Sequence, residues 1–447
     1  MAVISQDGVP VEAEYDNDLA AASSASRPGA EPAQVSAFYE SLQRRRPIVT
    51  WGLLSLLVLT FLLEQYWGGS RWNATLIRMG AEVPARIQKG EWWRLLAPMC
   101  LHSGWPHFLM NSFVLFSLGP FLERLFGSSR FLVLYVASGL LGCVFGTLFA
   151  SVSGLTLSVG ASGALFGLLA ATAVLGFRPR GQLPPALVAS LKKNAIINLA
   201  LNTVLALLLN IDYLAHLGGT LAGLLLVGFG TITPTLWPRS DGRPYASLLP
   251  AILASLFGGL LVTALLVAIV HGKPWLLRQP LQLVRTPLGT TGLSIELPTV
   301  LGPAKITKRS DDATDVSIGD PQERLMELTL VLAPMPSVGP SREEQIAIFH
   351  DNAVHYRSVG LDRGAVRTDE PRQLDVAGWP ALQQSLRLPD GRPMQRIDMV
   401  AHRHQIVLEL REYRGLPKNL ALDLTALLGT LRHDAPPPSA SKEEPHG

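Results

Sequence analysis

Four residues of this 447-residue chain have the types and the placing for acyl-transfer chemistry: Ser162, His216, His107 and Asn111. Ser162 stands in Gly160-Ala161-Ser162-Gly163, where small neighbours let another backbone approach the hydroxyl closely. His216 stands in Ala215-His216-Leu217-Gly218-Gly219, and imidazole is the side chain that takes and returns a proton near neutrality. Gly219 and Gly223, four apart, allow a second helix to come close, which would bring His216 to the helix of Ser162. His107 and Asn111, also four apart, share a helix face and both donate hydrogen bonds. Each residue alone has a plainer role. Serine and glycine pack membrane helices, asparagine bonds one helix to another, and a histidine is satisfied by a nearby carbonyl.

The elements that must position these residues are apolar runs. Hydrophobic residues make up 48% of the chain and charged residues 16%, and the apolar residues cluster between residues 47 and 272. Seven runs lie near the ~20 residues that a helix needs to cross a bilayer. Their rough limits are 48–67, 107–126, 131–150, 160–177, 194–211, 213–233 and 246–271. The fourth and fifth are short, as suits helices that start below the membrane surface. Ionisable groups inside such runs are costly and are therefore functional candidates.

Basic residues orient the spans. With the N-terminus in the cytoplasm, the inner segments hold Arg44, Arg45, Arg46, Arg124, Arg130, Arg178, Arg180, Lys192, Lys193, Arg239 and Arg243. The outer loops hold Arg71, Arg78, Arg86, Lys89 and Arg94, all in the first loop. The bias favours an inner N-terminus, and seven spans leave the C-terminus outside. Spans two, four and six then run inward. His107, Ser162 and His216 each fall within roughly two turns of the outer end, at ~1.5 Å per residue, so one depth can hold them all. A serine, a histidine and side-chain donors at one depth are the parts of an acyl-transfer site.

The flanks differ. Residues 1–46 lack an apolar period and are expected to be a disordered cytoplasmic tail, with no signal peptide ahead of the first apolar run. The first outer loop, about 68–106, carries Trp72, Trp92, Trp93 and Trp105, which suits a folded element at the interface. Residues 274–433 show strand-like alternation in Leu293–Leu297, Leu325–Leu330 and Ile406–Leu410. They also show a capping-box helix start at Ser341 that runs to about Tyr356, and a hairpin turn at Pro389-Asp390-Gly391-Arg392. A last helix is expected over about 416–432. These elements predict a soluble extracytoplasmic α+β domain, followed by a disordered tail at 434–447. His402 and His404 are expected two apart on one strand face, without the further ligands that a metal needs.

Charge and cysteine usage exclude other classes. The net charge is +3 and the basic residues are spread among loops, so no nucleic-acid-binding face is expected. Two cysteines, Cys100 and Cys143, build no disulfide framework.

Residues 47–235 resemble the rhomboid family of intramembrane serine proteases. The likeness is carried by Glu91-Trp92-Trp93-Arg94, by Leu101-His102-Ser103-Gly104-Trp105-Pro106-His107-Phe108-Leu109-Met110-Asn111, by Gly160-Ala161-Ser162-Gly163, and by Ala215-His216-Leu217-Gly218-Gly219, in that order on the expected spans. Glu123 resembles a glutamate that the family uses structurally. The resemblance implies an all-α polytopic membrane protein: a six-helix rhomboid core at 47–235, with 246–271 as a seventh transmembrane helix. It implies Ser162 as nucleophile and His216 as general base in a dyad without a third residue, with Asp212 taken as a loop residue. It implies His107 and Asn111 as oxyanion donors, and Trp93, Arg94, Gly160, Gly163, Gly219 and Gly223 as structural residues. Family members usually carry tyrosine four residues after the serine. Here Phe166 stands there, which keeps a ring to stack on the histidine and loses the hydroxyl.

The expected function is an intramembrane serine endopeptidase of the bacterial inner membrane. It would cleave single-span proteins in the outer half of the lipid bilayer, with no cofactor. The alternative is a catalytically inactive rhomboid-like protein that binds and escorts membrane helices. A transporter would instead spread its polar groups through the full depth.

Overall fold

The computed structural model describes residues 32–154, 156–177, 183–209, 212–235, 248–335, 341, 344, 366–413 and 418–434. The expected terminal tails, apart from residues 32–46 and 434, lie outside the described residues, as does most of the helix expected after Ser341. The expectation of disorder fails over 32–44, which form a helix that buries Phe38 and Leu42. The start of the Ser341 helix is nevertheless made: the Ser341 N–H donates to Glu344 Oε2 at 2.7 Å and Glu344 N–H to Ser341 Oγ at 3.2 Å. These are the two reciprocal bonds of a capping box.

Among the described residues, eight long helices precede the sheets. They are α1 (Pro32–Arg44), α2 (Ile48–Tyr66), α3 (Trp105–Phe126), α4 (Ser128–Leu148), α5 (Ser162–Phe177), α6 (Pro185–Leu209), α7 (Tyr213–Gly228) and α8 (Leu248–Gly272). Helices α2, α4 and α8 are long and apolar enough to cross a membrane, and α5 and α7 are apolar but shorter. Each expected span coincides with a helix, with one correction. The fifth is not short: α6 begins nine residues earlier than expected and takes Lys192 and Lys193 into its first half. Pro185 suits the first helical position, and the Ala, Leu and Lys residues that follow are good helix formers that a search for apolar runs alone passes over.

The chain divides into two compact units that are not consecutive stretches: Met1–Leu56, Leu109–Leu155 and Ala161–Val262 form one, and Leu57–Phe108, Thr156–Gly160 and Thr263–Gly447 the other. In the first unit α4, α5 and α7 pack backbone to backbone. A Cβ on Gly219 would sit 1.9 Å from the Gly163 carbonyl oxygen, and one on Gly223 2.2 Å from that of Gly167. One on Gly142 would sit 2.7 Å from the Ala215 oxygen. Small residues at this spacing are how membrane helices reach such proximity.

The same unit holds a buried carboxylate at the end of α3. Glu123 accepts from Val49 N–H at 2.9 Å, Thr50 N–H at 2.7 Å, Thr50 Oγ1 at 2.7 Å and Ser128 Oγ at 2.6 Å. It caps the first turn of α2, whose leading N–H groups have no partner within the helix. Nearby, Arg45 donates to the Arg124 carbonyl and to Thr235, and Arg124 donates back to the Arg45 carbonyl. Losing several bonds to one buried charge predicts that Glu123→Ala destabilises the protein by about 3 kcal/mol, measurable by reversible unfolding in mixed micelles.

The second unit contains the first loop and the C-terminal sheets. The loop is folded, with short helices at Asn73–Arg78 and Pro84–Ile87 and 3-10 turns at Trp92–Leu95 and Ala97–Cys100. Arg94 braces it: Nε donates to Glu91 Oε2 at 2.6 Å, and Nη1 to the Ile77 and Ala81 carbonyls at 2.7 and 2.9 Å. The Trp93 ring stacks on His271, with centroids 4.8 Å apart.

The sheets are antiparallel in every described pairing. One orders β1 (Leu283–Pro287), β2 (Leu293–Pro298) and β11 (Arg432–His433). The larger orders β3 (Lys305–Lys308), β4 (Thr314–Ile318), β5 (Met326–Pro334), β10 (His404–Glu412), β9 (Pro393–Ala401), β8 (Trp379–Arg387) and β6 (Val366–Arg367), with β7 (Arg372–Val376) also on β8. Alternation sets the register: Leu328, Leu330 and Leu332 of β5 face Leu410, Leu408 and Ile406 of β10, and all are buried. The opposite face of this sheet carries Arg396, bonded to both Asp398 oxygens at 2.8 and 2.7 Å and to Glu409 at 3.2 Å. The expected turn at 389–392 joins β8 to β9, with Gly391 at φ 80°.

Two expectations fail here. The last helix, α9, runs only over Leu424–Gly429, because Asp423 caps it by accepting from Thr425 and Ala426 N–H, and Arg432–His433 turns into β11. His402 is not on a strand with His404. It forms, with Arg403, the two-residue turn between β9 and β10, at φ 51° and 63°, the left-handed pair that such hairpins require. Among the described residues no group of three or more His, Cys, Asp or Glu is placed to hold a metal.

Candidate active site

Ser162 is the first residue of α5. The chain enters it through Gly160 at φ 128°, a conformation that residues with a side chain rarely adopt, and the Gly160 N–H donates to the Pro98 carbonyl at 2.9 Å. His216 is the fourth residue of α7. Its Nε2 lies 2.8 Å from Ser162 Oγ, across 54 residues of sequence. The close approach of α7 to α5 at Gly219 and Gly163 makes that distance possible. Phe166, one turn after Ser162, lays its ring flat on the imidazole, with centroids 4.1 Å apart and planes 13° apart. The hydroxyl, the imidazole and the aromatic ring thus occupy one place, and His216 is 9% exposed.

Asp212 does not serve as a third member through the bonds described. Its Oδ1 caps α7 by accepting from Ala215 N–H at 3.1 Å. Asn111 lies on α3, 6% exposed, and its Nδ2 donor has no partner among the described residues. A buried amide donor left without an acceptor is costly unless a ligand or water takes its bond. His107 falls in the other unit, where its Nδ1 is 3.1 Å from Ser103 Oγ and its ring meets His102 edge-on at 5.3 Å.

Glu64 is not among the residues singled out from the sequence. It is fully buried on α2, and its Oε1 accepts from His102 N–H at 2.9 Å, which fixes the turn leading into α3. Thr60 Oγ1 donates to the Cys100 carbonyl beside it at 2.6 Å. A lone carboxylate in an apolar span is the signal that would have found it.

A hydroxyl and an imidazole in hydrogen-bond contact, on two glycine-packed apolar helices, define the class: a membrane protein with a serine–histidine pair. The Rhomboid domain description matches residues 89–231. The Rhomboid protease GluP of Bacillus subtilis (strain 168) is 36% identical over 181 residues, covering 40% of this chain and 34% of that protein. The Putative rhomboid protease YdcA of the same organism is 38% identical over 143 residues, covering 31% of this chain and 68% of that protein. The chain belongs to the rhomboid family. Its match spans about a third of GluP and about two thirds of YdcA. A cyanobacterial PsbP (CyanoP) from Synechocystis sp. PCC 6803, known in solution, is 14% identical, covering 35% of this chain and 94% of that one, at a TM-score of 0.26, too low to establish a shared fold.

Proposed function

We propose that this chain is an intramembrane serine endopeptidase acting through a Ser162–His216 dyad. The observation that carries the reading is the 2.8 Å contact between Ser162 Oγ and His216 Nε2 under the Phe166 ring. In the reaction, His216 Nε2 takes the proton as Ser162 Oγ attacks the substrate carbonyl, then returns it to the leaving amine. Water hydrolyses the acyl-enzyme with His216 again as base. The imidazolium formed in each step is stacked on Phe166, whose π face attracts a cation. Asn111 is a donor for the developing oxyanion, and the orphaned state of its amide supports that role. We assign His107 to the same task from its place one turn before Asn111 on α3. Asn111→Ala is expected to lower kcat about 10²-fold with little change in KM, in a steady-state assay on a fluorogenic single-span peptide.

The substrates are single-span membrane proteins. Their helices must unwind to expose a peptide bond, because a helical bond is already hydrogen-bonded and shielded. Incorporating the protein into liposomes with a single-span reporter tests the function. Cleavage within the outer half of the reporter's span is the expected result, and intact reporter bound to the protein would favour the helix-escort alternative.

Seven spans, with the N-terminus inside and the C-terminus outside, complete the reading. The ion pairs that join the first loop to the C-terminal sheets support it, because six spans between them return the chain to the same side. Cysteines placed at Lys89 and Ser317 are expected to react with an impermeant maleimide on intact cells, and one at Gln43 only after lysis. The native Cys100 and Cys143 are buried and should stay silent.

A further inference from the structure

The first loop and the C-terminal domain share one buried charge cluster. Arg78, 6% exposed, donates through Nε and Nη2 to Glu323 Oε2 at 3.0 and 2.8 Å, and through Nη2 also to the Val300 carbonyl. Arg86 donates to Asp320 and, at 3.3 Å, to Glu323. Burial alone would pull the Arg86 guanidinium down, but the Asp320 hydrogen bond and the charges of Glu323, Asp320 and Glu91 hold it above its ordinary value. Ala74 belongs to the same hydrophobic core as Leu297, Val300 and Leu328, and Trp72 packs against it. The Arg78 backbone is also pressed by α8, where a Cβ on Gly272 would sit 1.8 Å from the Arg78 oxygen. The loop is thus built into the domain.

The two arginines flank a segment that leads to the serine. Between them Glu82 exchanges both backbone hydrogen bonds with Ser158, at 2.9 and 3.0 Å, and Ser158 is four residues before Ser162. Arg94 holds the same segment through the Ala81 carbonyl. Nothing in the dyad chemistry uses Asp320 or Glu323.

We propose that Asp320 and Glu323 of the C-terminal domain are positioning residues for the proteolytic site. By clamping Arg78 and Arg86, they fix the 79–83 segment, and through its pairing with Ser158 they fix the chain that enters Ser162. The domain is therefore part of the catalytic apparatus rather than a tethered accessory. This rests on the serine-protease reading above.

A double-mutant cycle in the full-length, reconstituted protein tests it. Arg86→Gln, Asp320→Asn and the double variant are compared by the rate at which a fluorophosphonate labels Ser162, per folded molecule, beside the thermal melting curve. The Arg86 and Asp320 side chains are 20% and 32% exposed, so these variants replace a pair at the rim and leave the Arg78 pair intact. Each single variant is expected to slow labelling about tenfold, and the double variant no more than either alone, the pattern of two residues acting as one unit. Parental labelling rates in the single variants, with or without a lowered melting temperature, would overturn the proposal and leave the dyad standing. So would additive losses. A parent that does not label at all would instead overturn the serine-protease reading, and the proposal with it.

Discussion

Ser162→Ala and His216→Ala are each expected to lower kcat/KM for a single-span reporter by about 10⁴-fold or more, and the double variant no further. The reason is the geometry: one hydroxyl and one imidazole are joined by a single 2.8 Å contact, so removing either removes the unit. Without His216 the hydroxyl has no described base. Without Ser162 the base has nothing to activate except water. Neither change creates a close contact, so both variants should fold, Ser162→Ala with a melting curve like the parent's and His216→Ala with a lowered one, because it removes a buried ring stacked on Phe166. Phe166→Ala is a milder lesion by the same logic, since the ring orients His216 but exchanges no proton.

Gly219→Val should be damaging through packing alone. Its Cβ would fall 1.9 Å from the Gly163 carbonyl oxygen and within 3.1 Å of two further Gly163 backbone atoms. Backbone cannot rotate aside as a side chain can, so α7 must move away from α5. Overpacking of this kind costs about 3 kcal/mol. A separation of ~1 Å at the dyad would cost about 10²-fold in rate. Gly228→Val is the control on the same helix, since a Cβ there meets nothing within 4 Å. Reversible unfolding and reporter cleavage, measured on both variants, should separate them clearly.

The sequence is most legible where chemistry and a long apolar run coincide. Ser162 and His216 are recognisable because a glycine-rich motif sits at one end of each run, and the spans carry them to one depth. Phe166 follows from the family resemblance, which places an aromatic ring four residues after the serine. The weaker results come from boundaries set by polar residues. The first half of α6 holds Lys192 and Lys193, which a hydropathy search excludes, and α9 is cut short by the Asp423 cap. His402 alternates like a strand residue, yet two-residue hairpin geometry puts it in the turn. Least legible are the long-range pairs. Arg78 and Arg86 look like loop charges that merely report topology, and Glu323 lies 245 residues beyond Arg78. No local pattern announces such a partner, because the energy that joins them is realised only once the C-terminal core has formed.

The central claim is that Ser162 is an activated nucleophile. Incubating the liposome-embedded protein with a fluorophosphonate, then digesting it and locating the adduct by mass spectrometry, tests this most directly. One phosphonylated residue is expected, Ser162, with the adduct lost in His216→Ala. An adduct on a different serine, or equal labelling of Ser162 with and without His216, would contradict it.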